Sequence, residues 1–442
     1  MATLLKSPQA AQRRHKFREY MRKLNPTAPP RSTFDAGLVL EDLHESLFKG
    51  LIARADIEPS SQQLLMGCTG SGKTTLLLQA EKWLDQPGQV LPLYIDVSAE
   101  TDLTKLGSGA LLASFGIHLL QEFTSRSFGA NLEGSALEAL KKAEAEIRGF
   151  AYGTQTKVWV KDPKINISGF LQGLSNIERI SSALGEPGRY VNVDVPGKLA
   201  PLSAASFPPD LRTIGKQLEL FVSATRDRGF DLVAMFDGLD RLPSPDNFWA
   251  VVDQDFRALR LLGVGVISTA PQSLLYGEGR AIAAHFDRTH QIRALNPDPK
   301  SSDLKTVLIH RGGTELMDDE TADLLCGASG GVLRDLITLA RDAGEEAYVE
   351  GDARVQTPHA RVAIRQMGEA YLRGLGPEQI AILRRLTESG SFDVASSSSI
   401  ELLAIGRVLE YSAGEFRVHP TLLPLLPASG SDHPASESVK LR

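Results

Sequence analysis

The sequence predicts an α/β fold built on a parallel sheet, followed by an all-helical segment and a small helix-and-hairpin module. Three observations predict it. Short apolar runs alternate with helical periodicity from residue 34 to 297; a glycine-rich loop, GCTGSGKT at 67–74, lies between the first such run and a helix; and from residue 298 to 375 the pattern turns wholly helical before alternation returns around SAGE.

Element by element, residues 1–33 form a basic arm that NPTAPPR closes as a proline-rich linker. EDLHESLFKGLIARA has helical periodicity, and SSQQLLMGCTGSGKTTLLLQAEKWL runs strand, loop, helix. VLPLYIDVSAE is a short strand ending in polar residues, with a helix near LLASFGIHLLQEF. Regularity breaks between about 127 and 207, where KVWVKDPKINISGF and RYVNVDV alternate and predict a β-rich insertion. The sheet resumes with a helix at DLRTIGKQLELFVSATRDRG, a strand at DLVAMFDG, a helix at NFWAVVDQDFRALRLL and a strand at GVGVISTAP. A helix at GRAIAAHF and a short strand at HQIRAL complete a core over 34–297. Residues 298–375 form a helical lid, with GGVLRDLITLARDAGEEA its most distinct helix. Residues 376–427 outline a winged helix, and the Ser/Pro-rich 428–442 is expected to be disordered.

Composition narrows the class. The 442 residues are 42% hydrophobic and 23% charged, too long for one core and ordinary for a globular chain. No apolar run approaches the ~18 residues that cross a bilayer, and MATLLKSPQAAQRRHK has no secretory stretch, so the expectation is a soluble, cytoplasmic protein with no membrane role. Cys68 and Cys326 lie in no metal-ligand spacing, which argues against structural zinc and a disulfide framework. Charge is uneven. Residues 1–31 hold eight Lys/Arg against Glu19, a net +7 in a chain of −6, so the remainder carries −13. Such an arm suits nucleic acid or an acidic partner, or is the outer face of a helix packed on its own domain.

The loop fits G-x-x-x-x-G-K-[ST] at every fixed position. Its glycines let backbone N–H groups close around phosphate oxygens at a helix N-terminus. Gly67, Thr69, Gly70, Ser71, Gly72, Lys73, Thr74 and Thr75 are therefore the candidate ATP/ADP-binding residues, with Lys73 reaching the β/γ-phosphates and Thr74 ligating Mg2+. A second acidic group is needed for the metal, and Asp237, at the end of LVAMF, supplies it. The next residue is Gly238, which cannot act as a base. Asp240 is the nearest carboxylate that could activate water, unless Arg241 holds it in an ion pair.

Taken in order, GCTGSGKT, MFDGLDRL, GVGVISTAP and GGVLRDL, followed by a winged helix, resemble the AAA+ superfamily. More narrowly they resemble the branch shared by origin-recognition ATPases and STAND/NACHT-type signalling ATPases, whose second acidic motif often has the DGLD form. The resemblance covers roughly residues 35–427. It implies that Thr69 to Thr75 form the phosphate loop and that Asp237 is the metal-binding carboxylate. It further implies that Thr269, or Ser268 beside it, senses the γ-phosphate and that Arg334 is the lid arginine. A trans arginine finger is implied between 280 and 293, where Arg280 and Arg288 are the candidates. The departure at Gly238 implies slow hydrolysis.

Three functions follow. The first is a slowly hydrolysing ATPase switch, homo-oligomeric and acting on a separate effector or target protein; the resemblance associates such chains with bacterial defence. The second is a DNA-binding ATPase of the origin-recognition or transposition-regulator type, with the basic arm on nucleic acid. The third is a regulatory subunit that binds ATP structurally. Residues 377–427 bear four arginines, six acids and no lysine, which favours a protein-facing or autoinhibitory terminal module over a duplex-binding one.

Overall fold

A computed structural model describes residues 8–40, 43–85, 90–129, 133–152, 156–159, 190–193, 211–298, 302–313 and 315–426. The tail expected at 428–442 and much of the segment expected as a β-rich insertion lie outside them. The chain forms two units, one of Glu41–Gly67 with Gly72–Ile292, the other of Met1–Leu40, Cys68–Ser71 and Arg293–Arg442.

The first unit is built on five parallel strands: β1 (Gln62–Gly67), β2 (Val90–Asp96), β5 (Asp231–Asp237), β6 (Gly265–Ala270) and β7 (Arg288–Ile292). They lie in the order β2-β5-β6-β1-β7. Every residue of β1 and β6 is buried, as strands covered on both faces must be, and this is why QQLLMG and GVISTA read as short runs with little alternation. Successive residues serve opposite faces. Leu65, Val233, Met235 and Ile267 pack under α3 (Glu45–Ile57) and α4 (Lys73–Leu84). Leu64, Leu232, Phe236 and Val266 pack under α6 (Ala110–Ser125), α7 (Gly134–Tyr152), α8 (Leu211–Arg226) and α9 (Pro245–Leu261). Helix α9 starts where chemistry predicts: Ser244 accepts from Asn247 N at 3.1 Å and Pro245 occupies the first turn. Between α4 and α6 the chain makes the short α5 (Val97–Glu100), directly after β2.

Two sequence expectations need correction here. Residues 134–152, placed in the β-rich insertion, form α7, because their apolar positions recur at helical spacing along LEALKKAEAEIRGFAY. The alternating stretches do pair: β3 (Thr156–Trp159) runs antiparallel to β4 (Tyr190–Val193). The helix expected at GRAIAAHF is confined to α10 (Gly279–Ala283).

In the second unit the arm is a helix, α1 (Pro8–Lys23), and the expected linker runs into a further short one, α2 (Pro30–Asp35). Proline breaks a helix interior but is well placed in a first turn, where its missing N–H costs nothing. The lid helices are α11 (Ser302–Gly312), α12 (Asp319–Ala328), α13 (Leu333–Glu350) and α14 (Thr357–Leu372). α1 docks against α13 and α11 through buried Phe17, Tyr20 and Leu24. Tyr20 donates its hydroxyl to Ala340 O at 2.9 Å, and a Cβ at Gly344 would lie 2.6 Å from its ring. Arg13 donates to the carbonyls of Ala347, Tyr348 and Asp352, at the negative end of α13, with its guanidinium over the Tyr348 ring.

Residues 377–418 form two helices, α15 (Pro377–Ser389) and α16 (Ser397–Ala404), and a hairpin of β8 (Val408–Ser412) and β9 (Glu415–Val418). Gly414 turns the hairpin at φ +79°. No helix among the described residues is long and apolar enough to cross a membrane.

Candidate functional site

The order of the strands locates the site. β1 is flanked by β6 and β7 while the chain crosses from β1 to β2 over two strands, and in open α/β sheets such a reversal opens a crevice at the carboxyl ends. The glycine loop leaves β1 there. Gly70 and Gly72 adopt φ of +89° and +105°, conformations that side-chain-bearing residues avoid, and Gly72 opens directly into α4. Thr69 is exposed, Ser71 is buried, and Thr74 and Thr75 are half-buried.

Lys73 is only 5% exposed. Its ammonium donates to Gly67 O at 2.8 Å and pairs with Asp240 Oδ2 at 3.0 Å. Asp237 ends β5, two strands from β1, and is buried. Its carboxylate accepts from the Tyr94 hydroxyl at 2.9 Å, from Gly238 N at 2.8 Å and from the Thr74 side chain. Burial raises its pKa, the Thr74 bond opposes that shift, and the charge of Asp240 adds to it. A cation seated between Thr74 and Asp237 would relieve both the burial and the like charge, so the donor set fits a hard divalent metal.

The four letters DGLD now have a geometry. Gly238 sits at φ +90°, and a Cβ there would lie 2.8 Å from Ser98 Cβ. The turn drives residues Leu239–Arg241 into a 3-10 turn that carries Asp240 inward to Lys73, while Arg241 reaches Ser98 Oγ at 3.4 Å. The alternative of an Asp240–Arg241 pair is therefore replaced by Asp240–Lys73. Placing a glutamate at 238 to supply a base is expected to fail. The left-handed backbone alone costs a side-chain-bearing residue about 1–2 kcal/mol, so Gly238→Glu should melt earlier than the parent with no gain in ATPase rate. Faster turnover at an unchanged melting temperature would refute this.

Thr269 is buried at the end of β6, between β1 and β5, and its Oγ1 accepts from Leu239 N at 3.2 Å. It thus touches the DGLD turn directly; the Ser268 hydroxyl instead donates to Thr269 O. In the second unit, Arg334 opens α13 over the loop tip: its N–H donates to Gly70 O at 3.2 Å, and a Cβ on Gly70 would lie 2.6 Å from Arg334 Cβ. Its neighbour Asp335 faces the His419 ring, at 3.3 Å from Nε2. Cys68 packs with Val332, Leu409 and Tyr411. The finger candidates do not join the site within the chain. Arg280 is exposed on α10, and Arg288 is exposed at the start of β7, level with Gln63 at the opposite end of the sheet from the loop.

Sequence reasoning missed Tyr94 and Ser98, which come from β2 and α5 and contact Asp237 and Gly238. Their one signal is position: YIDVS is another strand end at the carboxyl edge, and Asp96 stands in register with Asp237. Elsewhere, Glu350, Asp352 and His359 bring their potential ligand atoms within 4.8 Å of one another, but their hydrogen bonds account for the cluster without a metal. His359 Nδ1 accepts from Gln356 N, which leaves the ring proton on Nε2, 3.0 Å from both carboxylates. The cluster is a clamp between α13 and α14.

No protein-family model and no curated protein sequence matches the chain. Solved structures similar to it include the Aeropyrum pernix ORC1 protein in complex with DNA, at 15% identity over 90% of this chain and 93% of that one, TM-score 0.41. Others are the Aeropyrum pernix ORC2 protein in ADPNP–ADP complexes, at 13% identity over 85% and 88%, TM-score 0.40, and the Thermotoga maritima RuvB Holliday junction branch migration motor, at 13% identity over 85% and 91%, TM-score 0.37. Identities this low leave function to the chain's own residues. A parallel sheet in the order β2-β5-β6-β1-β7, with the glycine loop and lysine after β1 and the aspartate after β5, is a P-loop α/β fold.

Proposed function

We propose that the protein is an AAA+-type, STAND-like ATPase switch that binds ATP with Mg2+ at the glycine loop, hydrolyses it slowly and changes assembly or partner binding with nucleotide state. The observation that carries this reading is the convergence of Lys73, Asp237, Asp240 and Thr269 on the carboxyl ends of β1, β5 and β6. Thr74 and Asp237 would hold the metal, which neutralises charge on the transferred phosphoryl group when bound. Phosphate oxygens would take Lys73 from Asp240. The released Asp240 carboxylate is then the group available to orient or deprotonate the attacking water, since Gly238 has no side chain to do so. Thr269, bonded to the DGLD turn, and Arg334, bonded to the loop tip, would respond to the γ-phosphate. An arginine finger is worth about 10³ to 10⁵ in rate, and with neither finger nor glutamate in its own site an isolated chain should turn over slowly.

The test is size and mass measurement of the full chain with ADP, ATP and a non-hydrolysable analogue, with Lys73→Ala as control. A larger assembly with the analogue, absent in the control, is the expected result. No change in any state would favour structural ATP, and an isolated chain turning over faster than about 1 per second, the low end of ordinary enzymes, would overturn the slow switch. A second reading, a DNA-handling ATPase, is favoured by one feature, the arginines of α1.

A further inference from the structure

The carboxylate of Asp237 is held by bonds to both of its oxygens. Oδ1 accepts from Gly238 N at 2.8 Å, a contact made by its own turn. Oδ2 accepts from the Tyr94 hydroxyl at 2.9 Å, a contact brought from the neighbouring strand β2. The register explains why a tyrosine makes it. Asp96 stands directly beside Asp237, but its carboxylate is turned to its own chain, accepting from Ser98 Oγ at 2.7 Å and from Ala99 N at 3.1 Å as the cap of α5. Tyr94 lies two residues earlier, level with Met235, and two residues of strand rise about 6.6 Å. A long side chain lying along the sheet is needed to cover that span. The Tyr94 ring packs against the core cluster that contains Val233, Met235 and Leu77, which keeps its hydroxyl on the α4 side of the sheet, where Thr74 also reaches Asp237.

We propose that Tyr94 is a positioning residue for the metal: its hydroxyl fixes the Asp237 carboxylate in the orientation that meets Thr74, and so sets the affinity for Mg2+. The inference rests on the reading of Thr74 and Asp237 as the metal-holding pair. A carboxylate offers about four acceptor sites. Gly238, Tyr94 and the Thr74 side chain occupy three, and capacity for a cation remains. Rotation of the carboxylate about its Cβ–Cγ bond would break the Gly238 and Tyr94 bonds together, so a metal meets a ligand already ordered. Carboxylate ligands in metal sites are themselves held by outer hydrogen bonds, and loss of such a partner costs about 10–100-fold in metal affinity. The bonds of Lys73 to Gly67 O and Asp240 do not involve Tyr94. The hydroxyl should therefore act on metal binding and spare metal-free nucleotide.

The experiment uses the full chain and its Tyr94→Phe variant, which removes the hydroxyl and keeps the ring. Titration calorimetry with ADP is run in EDTA and then over a Mg2+ series, with the melting temperature of both proteins recorded. The expected result is an unchanged ADP affinity in EDTA, while the Mg2+ concentration giving half of the affinity gain rises about tenfold or more. Mn2+ in place of Mg2+, followed by electron paramagnetic resonance of the bound ion, should show the same shift with no hydrolysis involved. An unshifted Mg2+ midpoint would overturn the assignment, as would a lowered one, which would mean that the hydroxyl competes with the metal for Oδ2. Equal weakening with and without Mg2+ would also overturn it, making Tyr94 a packing residue of β2. If ADP binding by the parent does not respond to Mg2+, the metal-holding pair itself is wrong; if the parent responds and the variant matches it, only the role of Tyr94 fails.

Discussion

Lys73→Ala is expected to weaken ATP and ADP binding by about 100-fold or more and to abolish turnover, whereas Asp240→Ala should bind ATP as well as the parent or better and turn over more slowly. Hydrogen bonds to charged groups contribute about 1.5–3 kcal/mol, and 2.7 kcal/mol is about 100-fold in affinity. Lys73 has no substitute, because it is the buried cation at the mouth of the loop, held between Gly67 O and Asp240. Asp240 acts in the opposite direction on binding. In the free protein it competes with phosphate for the ammonium, so its removal spares the nucleotide that exchange. The two substitutions thus separate affinity from chemistry, which titration calorimetry and single-turnover hydrolysis read independently. Parental affinity in Lys73→Ala would sink the P-loop reading. Parental turnover in Asp240→Ala would make the Lys73–Asp240 pair structural and place the base outside DGLD.

The glycine loop and Asp237 were legible in the sequence because each is a local pattern: an apolar run, a turn and the residue types the chemistry requires. The partner of Asp240 was not. Adjacency suggests Arg241, but the left-handed Gly238 rotates the next turn so that Asp240 faces Lys73 and Arg241 faces Ser98. That rotation has a tertiary side, since Ser98 of α5, about 140 residues earlier, fills the space that a side chain at 238 would need. Tyr94 is hidden for the same reason. It reaches Asp237 only because β2 lies beside β5, an order of strands that no short stretch encodes. The arm divides the same way. Phe17, Tyr20 and Leu24 have helical spacing that can be read, while the surface receiving them depends on Gly312 and Gly344, two glycines that look like any others. The helical character of 134–152 was legible and was obscured by the alternation that follows it.

Asp255→Ala is expected to cost about 3 kcal/mol or more, because it strips the acceptor from several buried donors at once. Asp255 lies within the amphipathic DQDFRALRL, where a carboxylate reads as solvent-facing, yet it is fully buried. It accepts from Gly109 N at 2.5 Å, Leu111 N at 2.9 Å and Leu112 N at 3.2 Å, capping α6 from a different helix because Gly109 has no side chain to do so. At roughly 2–4 °C per kcal/mol for a domain of this size, alanine should lower the melting temperature by about 6–12 °C. Asparagine, which keeps one acceptor oxygen, should lower it less. The pH dependence follows from burial, which raises the Asp255 pKa to about 7 against the pull of the backbone N–H bonds. A carboxyl group whose folded pKa exceeds its unfolded value of about 3.9 holds its proton more tightly when folded. Its contribution is then fully present below that unfolded value and is lost as pH rises through about 7. The stability advantage of the parent over Asp255→Asn should therefore shrink between pH 5 and pH 8 in parallel urea titrations. An advantage that grows over the same interval would mean that the three N–H bonds outweigh burial and that the folded protein holds Asp255 as the anion.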